Sequence, residues 1–264
     1  MSTYDSSEQD MQIHHNSLKK PFIEHLEDLR STILLCVMSV VITTLICFAF
    51  SPRLFSFLIH PLSLMNTDTH MPALRSLQPV GAFMMSMKTA FAGGVIASLP
   101  LNLFLIGKFI LPALTNKEKT MLIPVFSAGA VLFAAGIVFC YFMVIPISLR
   151  FLWNFASWIG VVNDWTLEYY IEFVTRFLLV FGCMFELPLV VISLVFLNIL
   201  SYSFLARNRR YVIVIIFIFA ALVTPPDVLS QVLLALPLLG LYEISVWFSL
   251  LIEKKRLASK HLAG

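Results

Sequence analysis

One carboxylate lies inside an otherwise apolar run, and it is the side chain in this sequence best placed for chemistry. Glu186 is the single acidic residue between positions 176 and 191. A charged side chain at the bilayer centre costs about 2.5–3.5 kcal/mol on insertion scales, and such residues usually face a bundle interior or a wet cavity. Ten residues from Arg176 correspond to about 15 Å of helical rise, so Glu186 is predicted near the middle of a core about 30 Å thick.

The residue two positions after the carboxylate strengthens this interpretation. Pro188 removes a backbone donor and weakens the helix beside Glu186, which would help to open a polar recess. A neutral Glu186, hydrogen-bonded to a neighbouring helix for a structural purpose alone, is the other interpretation. Lys88 lies inside another apolar segment, where snorkelling to the surface is expected rather than pairing with Glu186.

The composition places the whole chain in a membrane. Of 264 residues, 59% are hydrophobic and only 12% are charged, and the mean hydropathy is +0.90. Soluble domains carry about 25% charged residues, so a multi-pass membrane protein is predicted. The four cysteines have no CxxC spacing and all six histidines lie outside the apolar segments, so no metal site and no cofactor is expected.

The hydropathy pattern and the positions of helix-breaking residues predict an all-α integral membrane protein with six transmembrane helices. The predicted spans are 33–50, 81–100 with an apolar continuation to 114, 121–149, 171–200, 211–223 and 228–252. The fifth is short, and the sixth is predicted to be broken at Gln231, Pro237 and Glu243. The segment 51–80 is predicted as an ordered loop with short helical pieces.

The segments outside the spans complete the predicted organisation. Residues 21–30 predict an interfacial amphipathic helix, although a simple solvated face fits the same pattern. The predicted divisions are a disordered N-terminal tail over 1–20, a membrane domain over 21–256 and a cytoplasmic C-terminal tail over 257–264. With both termini inside, 13 of the 18 lysines and arginines fall on the cytoplasmic side, as the positive-inside rule requires.

Signatures of enzymes are absent from the sequence, which contains no HExxH, GxSxG, P-loop or dinucleotide fingerprint. A non-enzymatic function is therefore predicted. One alternative is an ion-coupled small-solute transporter with Glu186 as the proton carrier. Another is an intramembrane hydrolase using Glu186 and Asp227, but their predicted depths differ by roughly 15 Å, which is too far for a catalytic pair.

Four stretches together resemble the TatC family, the multi-span subunits of the twin-arginine protein translocase. They are residues 25–30, 109–118, 185–188 and 224–231, within a resemblance that runs from about Pro21 to Arg256. This resemblance implies a signal-peptide receptor and translocase core in the bacterial cytoplasmic membrane. It implies export of folded proteins driven by the proton-motive force, without a nucleotide and with no nucleic acid as a partner.

Residue by residue, the resemblance implies a signal-peptide site made of Asp28, Arg30, Phe109 and Glu118. Arginine forms bidentate bonds with carboxylates and lysine does not, so acidic residues can select a pair of arginines over a pair of lysines. The sequence departs from the family pattern at Thr32, where a second basic residue is usual, and over 104–107, where an aromatic-Gln-x-Trp run is usual. These departures concern the details of signal contact.

The resemblance also implies single-span partner subunits of the TatA and TatB type in an oligomeric complex. Their contacts are expected at the turn after the fifth span and along the sixth, at Pro225, Pro226, Asp227, Gln231 and Glu243. The two prolines are equally explained as a rigid tight turn. Pro61 matches a family proline in the first outer loop, where it is expected to fix the shape of the loop. Glu186 is expected to line the recess that an inserted signal enters.

Overall fold

The structure, a computed structural model, describes residues 5–63, 74–110, 116–161, 164–224 and 227–261. These residues form ten α-helices and one short π-helical turn. In chain order they are α1 (Asp5–Ala49), α2 (Ser51–Ser63), α3 (Gly81–Ile110), α4 (Asn116–Phe139), the π-helical turn (Cys140–Val144), α5 (Ile145–Trp158), α6 (Leu167–Met184), α7 (Leu187–Phe196), α8 (Tyr202–Arg207), α9 (Arg209–Val223) and α10 (Val228–His261).

Five helical segments of the described chain are long and apolar enough to cross a membrane. They are Leu26–Ala49, Gly81–Ile110, Ser127–Trp158, Leu167–Phe196 and Val228–Lys254. The predicted fifth span corresponds to α9, whose 15 residues cover about 22 Å at helical rise, less than a bilayer core. The protein is therefore a nearly all-helical, multi-pass membrane protein.

The N-terminal helix is longer than the sequence pattern predicted. Residues 21–30 continue directly into the first span as part of α1, and the helix reaches back to Asp5. This differs from the disordered tail predicted over residues 1–20. Glu8, Gln9, Met11 and Gln12 all have good helix propensity, so this polar segment is compatible with a helix even though it offers no apolar face. The domain limits at residues 20 and 256 stay predictions.

The sixth predicted helix is neither short nor broken, and that prediction was wrong. α10 passes through Pro237 and extends for 34 residues. Its polar side chains are satisfied within the chain: Gln231 donates from Nε2 to the Phe217 carbonyl at 3.1 Å, and Glu243 pairs with Arg209 at 3.0 Å. Because these groups have partners on α9, they do not force the backbone of α10 to open.

The core lies among α2, the π-helical turn, α5, α6, α9 and α10. Its fully buried members include Phe177, Phe181, Ile145, Leu234 and Leu238. By contrast, α1 is attached almost entirely through α3, and most of its apolar side chains are exposed on the protein surface. In a membrane, lipid can cover such side chains without the cost that water would impose.

At one end of the bundle, hydrogen bonds connect two of the loop segments. The Arg75 amide donates to the Trp165 carbonyl at 3.2 Å, and the Leu167 amide donates to the Arg75 carbonyl at 3.0 Å. The Ser76 hydroxyl donates to the Glu168 carboxylate at 2.8 Å. These bonds join the segment before α3 to the segment before α6, on the side of the molecule that also carries α2.

Candidate functional site

The helix that carries Glu186 is interrupted at that residue. α6 ends at Met184 and α7 begins at Leu187, so Phe185 and Glu186 form a turn between two coaxial segments of one span. Pro188 has no amide hydrogen to donate to the carbonyl four residues earlier, and its ring disfavours a continuous helix there. The weakening of the helix predicted from Pro188 thus coincides with a break, which the predicted continuous helix over 171–200 did not include.

Glu186 is buried and has no hydrogen-bond partner among the described residues. Its exposed fraction is 8%, and both carboxylate oxygens are buried without a bond. Leaving a buried polar group without a partner costs about 1–3 kcal/mol, and more when the group is charged. The position is therefore unfavourable for stability alone.

Glycines allow α4 to approach the turn closely. A Cβ atom added to Gly129 would lie 3.0 Å from Oε2 of Glu186 and 2.7 Å from Cδ1 of Leu189. One and two turns further along α4, Phe133 packs on Gly182, and a Cβ added to Gly136 would lie 2.7 Å from the Phe185 ring. The Glu186 carboxylate is consequently pressed against the backbone of α4.

The depth of Glu186 can be estimated from two directions. Its neighbour Gly129 follows Glu118 by eleven residues on α4, which is about 16 Å of rise. Glu186 itself lies ten residues after Arg176, about 15 Å from the opposite end. If Glu118 and Arg176 mark the two surfaces of a bilayer core about 30 Å thick, both estimates place the carboxylate close to its middle, and this depth stays a prediction.

A separate set of predicted residues lies at one end of the α1–α3 pair. The two helices run antiparallel: Ser39 donates to Oδ1 of Asn102 at 2.5 Å, and Thr43 donates to the Gly94 carbonyl at 2.9 Å. Phe109 lies seven residues after Asn102 on α3, and Thr32 lies seven residues before Ser39 on α1. Phe109 and Thr32 are therefore at the same level of the antiparallel pair. This register sets Phe109 within about one turn of Arg30.

The charged residues of that end are accessible. Asp28 and Arg30 are both exposed on α1, and Phe109 is partly buried on α3. Glu118 lies in the first turn of α4, which begins only six residues after α3 ends, but its side chain is outside the described part of the chain. The structure thus brings three of the four predicted signal-contact residues to one end of the bundle.

The turn between α9 and α10 carries the predicted partner contacts. Pro225 and Pro226 lie outside the described residues. Asp227 accepts a bond through Oδ1 from the Ser230 amide at 2.7 Å, as at a helix N-terminus, while its Oδ2 is buried without a partner. Gln231 and Glu243 both have partners on α9, so neither side chain is left unsatisfied in the isolated chain.

Pro61 has a structural explanation in two tyrosines that the sequence analysis did not single out. Inside α2, Pro61 cannot donate to the Phe57 carbonyl four residues earlier. The Tyr141 hydroxyl donates to that carbonyl at 2.7 Å, and Tyr170 donates to the Leu58 carbonyl at 2.8 Å. Tyr141 comes from the π-helical turn, just before Pro146. Thus α2 is attached to two other helices through its own backbone.

Lys88, which lies in an apolar segment of α3, pairs with a carboxylate other than Glu186. Lys88 lies 3.5 Å from Glu172, and Glu172 also pairs with Arg176 at 2.6 Å. The i,i+4 spacing of Glu172 and Arg176 was a signal for this pair within the sequence, but nothing in the sequence assigned Lys88 to it. Gly129 likewise had no local signal, because its role depends on the approach of another helix.

Comparison with known proteins identifies a family. The model of the family "TatC: Sec-independent protein translocase protein (TatC)" matches residues 24–237. The chain is 37% identical to the Sec-independent protein translocase protein TatC of Carboxydothermus hydrogenoformans over 239 residues, which are 90% of this chain and 96% of that protein. It is 34% identical to the TatC protein of Campylobacter jejuni, over 89% of this chain and 95% of that one.

Two further matches define the extent of the similarity. The TatC protein of Akkermansia muciniphila is 40% identical over 186 residues, which span 70% of this chain but only 53% of that longer protein. A crystal structure of the twin arginine translocase receptor TatC superposes with a TM-score of 0.77 at 34% identity, over 86% of this chain and 98% of that one. The similarity therefore covers the fold as well as the sequence.

Proposed function

Because this chain belongs to the TatC family of Sec-independent protein translocase proteins, we propose that it is the signal-peptide receptor and core subunit of its translocase. Its cargo is folded protein bearing a twin-arginine signal peptide. Transport across the bacterial cytoplasmic membrane is driven by the proton-motive force, and the subunit itself is not an enzyme.

The observation that carries the proposal is the exposed acidic end of the α1–α3 pair. Asp28 lies on the accessible surface of α1 within about one turn of the level of Phe109 on α3. A guanidinium group can bond both oxygens of such a carboxylate, whereas an ammonium group acts as a point charge. Phe109 would add an aromatic surface beside the arginines, and Glu118 in the first turn of α4 would be the second carboxylate.

Electrostatic contacts at an exposed site provide only part of the affinity. Exposed ion pairs contribute about 0–1 kcal/mol each, so an apolar stretch of the signal must contribute the rest by lying along the helices. Glu186 is the polar group that an inserted signal would reach at the level of Gly129. Its buried and unpartnered oxygens would then receive donors from the ligand that the folded chain does not supply.

The proposed topology has six spans with both termini in the cytoplasm. It counts α9 as a span in spite of its 15 residues, because α9 begins at the basic residues Arg209 and Arg210 and ends at the turn opposite them. Local thinning of the bilayer or a partner helix would accommodate its length. This arrangement leaves 13 of 18 basic residues inside, including the cationic ends of α3 and α10.

Single-span subunits of the TatA and TatB type are the proposed partners in an oligomeric complex. Their contact surface would be the turn 224–227 together with α9 and α10. Because Gln231 and Glu243 already bond to α9, a partner helix would have to exchange these bonds or pack beside them. Asp227 keeps one buried oxygen free, so it is the most available acceptor in this surface.

Export of a folded reporter tests the proposal. In cells whose only TatC protein is this chain, with compatible partner subunits, a fluorescent protein fused to a twin-arginine signal should cross the membrane after it has folded. A twin-lysine signal should reduce export strongly, and a protonophore should stop it. Equal export with the twin-arginine and twin-lysine signals would contradict the receptor role. Export that continues in the presence of the protonophore would contradict the proton-motive force as the energy source.

A further inference from the structure

A pocket opens between α6 and the end of α9, away from the carboxylates considered above. Its walls combine aromatic rings with an ion pair, and it is lined by Tyr169, Glu172, Phe173, Arg176, Phe177 and Val223. The rings of Phe173 and Phe177 lie one helical turn apart with their centroids separated by 4.4 Å. The pocket therefore has an apolar floor with charged groups along its edge.

The charged edge contains more positive than negative groups. One Glu172 oxygen lies 2.6 Å from a guanidinium nitrogen of Arg176, and the other lies 3.5 Å from the Lys88 ammonium. A second guanidinium nitrogen of Arg176 donates to the Val223 carbonyl at 3.5 Å. Two cations share one carboxylate, so the cluster has a net positive charge of about one, and most of the N–H groups of Lys88 and Arg176 have no acceptor at hydrogen-bond distance among the described residues.

The cluster lies near the end of the bundle at which α3 and α6 begin. Arg176 contacts the last residue of α9, and the adjoining turn leads to Val228, the first residue of a candidate membrane span. Lys88, Glu172 and Arg176 have side chains 56%, 43% and 47% exposed, and Tyr169 is 79% exposed. Lipid headgroups and interfacial tyrosines occupy this level of a bilayer. The pocket has the same position relative to the bilayer whichever side of the membrane is cytoplasmic.

We propose that this pocket binds a glycerophospholipid of the leaflet on the α2 side, with its phosphate group held by Lys88 and Arg176. Guanidinium and ammonium groups are the donors that proteins use for phosphate oxygens. Glu172 pairs with both cations and offsets one of their two charges. The partly buried side chains of Phe173 and Val223 contact the glycerol and the first methylene groups of the acyl chains.

The aromatic wall is the reason for choosing a lipid over free phosphate. A free anion would gain nothing from the Phe173 ring, whereas acyl methylenes packed against it gain dispersion contacts. The bound lipid would also lie against Arg176, which contacts the end of α9. Lipid binding is therefore expected to stabilise the turn from α9 to α10, independently of any signal peptide.

Native mass spectrometry of the full purified chain in detergent tests the proposal. Palmitoyl-oleoyl phosphatidylglycerol is titrated, with palmitoyl-oleoyl glycerol and inorganic phosphate as separate probes. Lys88→Gln touches only Glu172 and is the cleaner variant, and Arg176→Gln is the second. Each should raise the dissociation constant of the first phospholipid about tenfold, which corresponds to the loss of one charged hydrogen bond. Arg53→Gln, an exposed cation near Phe50 outside the pocket, should leave it unchanged.

Glu172→Gln separates binding from a purely structural ion pair. It leaves two uncompensated cations, so phospholipid affinity should increase several-fold even if thermal stability falls. Loss of affinity in Glu172→Gln to the extent seen in Arg176→Gln would overturn the proposal. Unchanged affinity in Lys88→Gln and Arg176→Gln, or equal binding of palmitoyl-oleoyl glycerol, would overturn it as well. Equal affinity for inorganic phosphate would assign the site to a free anion instead of a lipid.

Discussion

The carboxylate of Glu186 lies against the backbone of Gly129, so closely that a Cβ atom at residue 129 would be 3.0 Å from Oε2. The two residues belong to different spans, and the contact exists because one has no side chain and the other sits in a helix break. A buried acid is thereby presented at the junction of α4, α6 and α7.

Gly129→Ala tests this contact. The added methyl group would press on both Glu186 and Leu189, and overpacking of this kind costs about 1–3 kcal/mol of stability. We expect a lower thermal unfolding temperature in detergent and weaker export of a twin-arginine reporter. Gly240→Ala is the matched control, because a Cβ there meets no atom within 4 Å. It should be neutral or slightly stabilising, as replacing an exposed helical glycine usually is. Equal losses in both variants would show that the close contact at residue 129 has no special effect.

Glu186→Ala and Glu186→Gln test the role of the buried acid. Because no described residue bonds its oxygens, Glu186→Ala should leave stability unchanged or improve it by up to about 1–3 kcal/mol, whereas Glu186→Gln retains a buried polar group. Initial docking of the signal should also be largely intact. Deep insertion of the signal should decrease in both variants, measured by a profile of site-specific cross-links along the peptide. A depth profile identical to that of the unmodified chain would refute the role of Glu186.

Tyr141→Phe tests the attachment of α2. Phenylalanine keeps the ring, which stacks on Phe57 at 4.3 Å, and removes only the hydroxyl that bonds the Phe57 carbonyl. Leaving that carbonyl without a donor should cost about 1–3 kcal/mol in the free energy of unfolding.

The same variant in a Pro61→Ala background isolates the cause. Alanine restores an amide hydrogen for the Phe57 carbonyl, so the cost of Tyr141→Phe should fall to about zero in the double variant. Tyr211→Phe, on the exposed face of α9, should have little effect in either background. If the two substitutions were simply additive, the tyrosine would not replace the missing proline donor.

Glu118→Ala tests the second carboxylate proposed for the signal site. Loss of one exposed ion pair corresponds to at most about 1 kcal/mol, so affinity for a twin-arginine signal peptide should fall up to about fivefold. Asp164→Ala removes an exposed carboxylate paired with Arg75, on the α2 side of the bundle. It should not change the affinity. Unchanged affinity in Glu118→Ala in a direct peptide titration would count against the role of Glu118.

Local sequence rules predicted the structure correctly where a residue or an apolar run determines its own local conformation. Pro188 predicted a helix weakened beside Glu186, and the apolar runs predicted a multi-pass helical membrane protein. Packing between distant segments was not accessible in the same way. Nothing near Gly129 or Tyr141 in the sequence indicates that one would meet Glu186 and the other would bond a carbonyl in α2.

The errors have the same origin. Pro237, Gln231 and Glu243 predicted a broken sixth helix because each disfavours an isolated apolar helix. In the structure α9 supplies partners for both polar side chains, and α10 continues without a break. Lys88 was expected to snorkel to the surface and not to pair with Glu186, and α6 provides Glu172 as a partner that the sequence did not indicate. Whether a polar group is satisfied is decided by the neighbouring helix.

Titration of the full purified chain with a twin-arginine signal peptide and its twin-lysine counterpart tests the receptor role most directly. We expect the twin-arginine peptide to bind clearly more tightly than the twin-lysine peptide. We also expect Asp28→Asn to reduce this preference, because the amide cannot form a charge-assisted bidentate bond. Equal affinity for both peptides, or a preference unchanged by Asp28→Asn, would contradict the assignment of the signal site to the exposed end of α1 and α3.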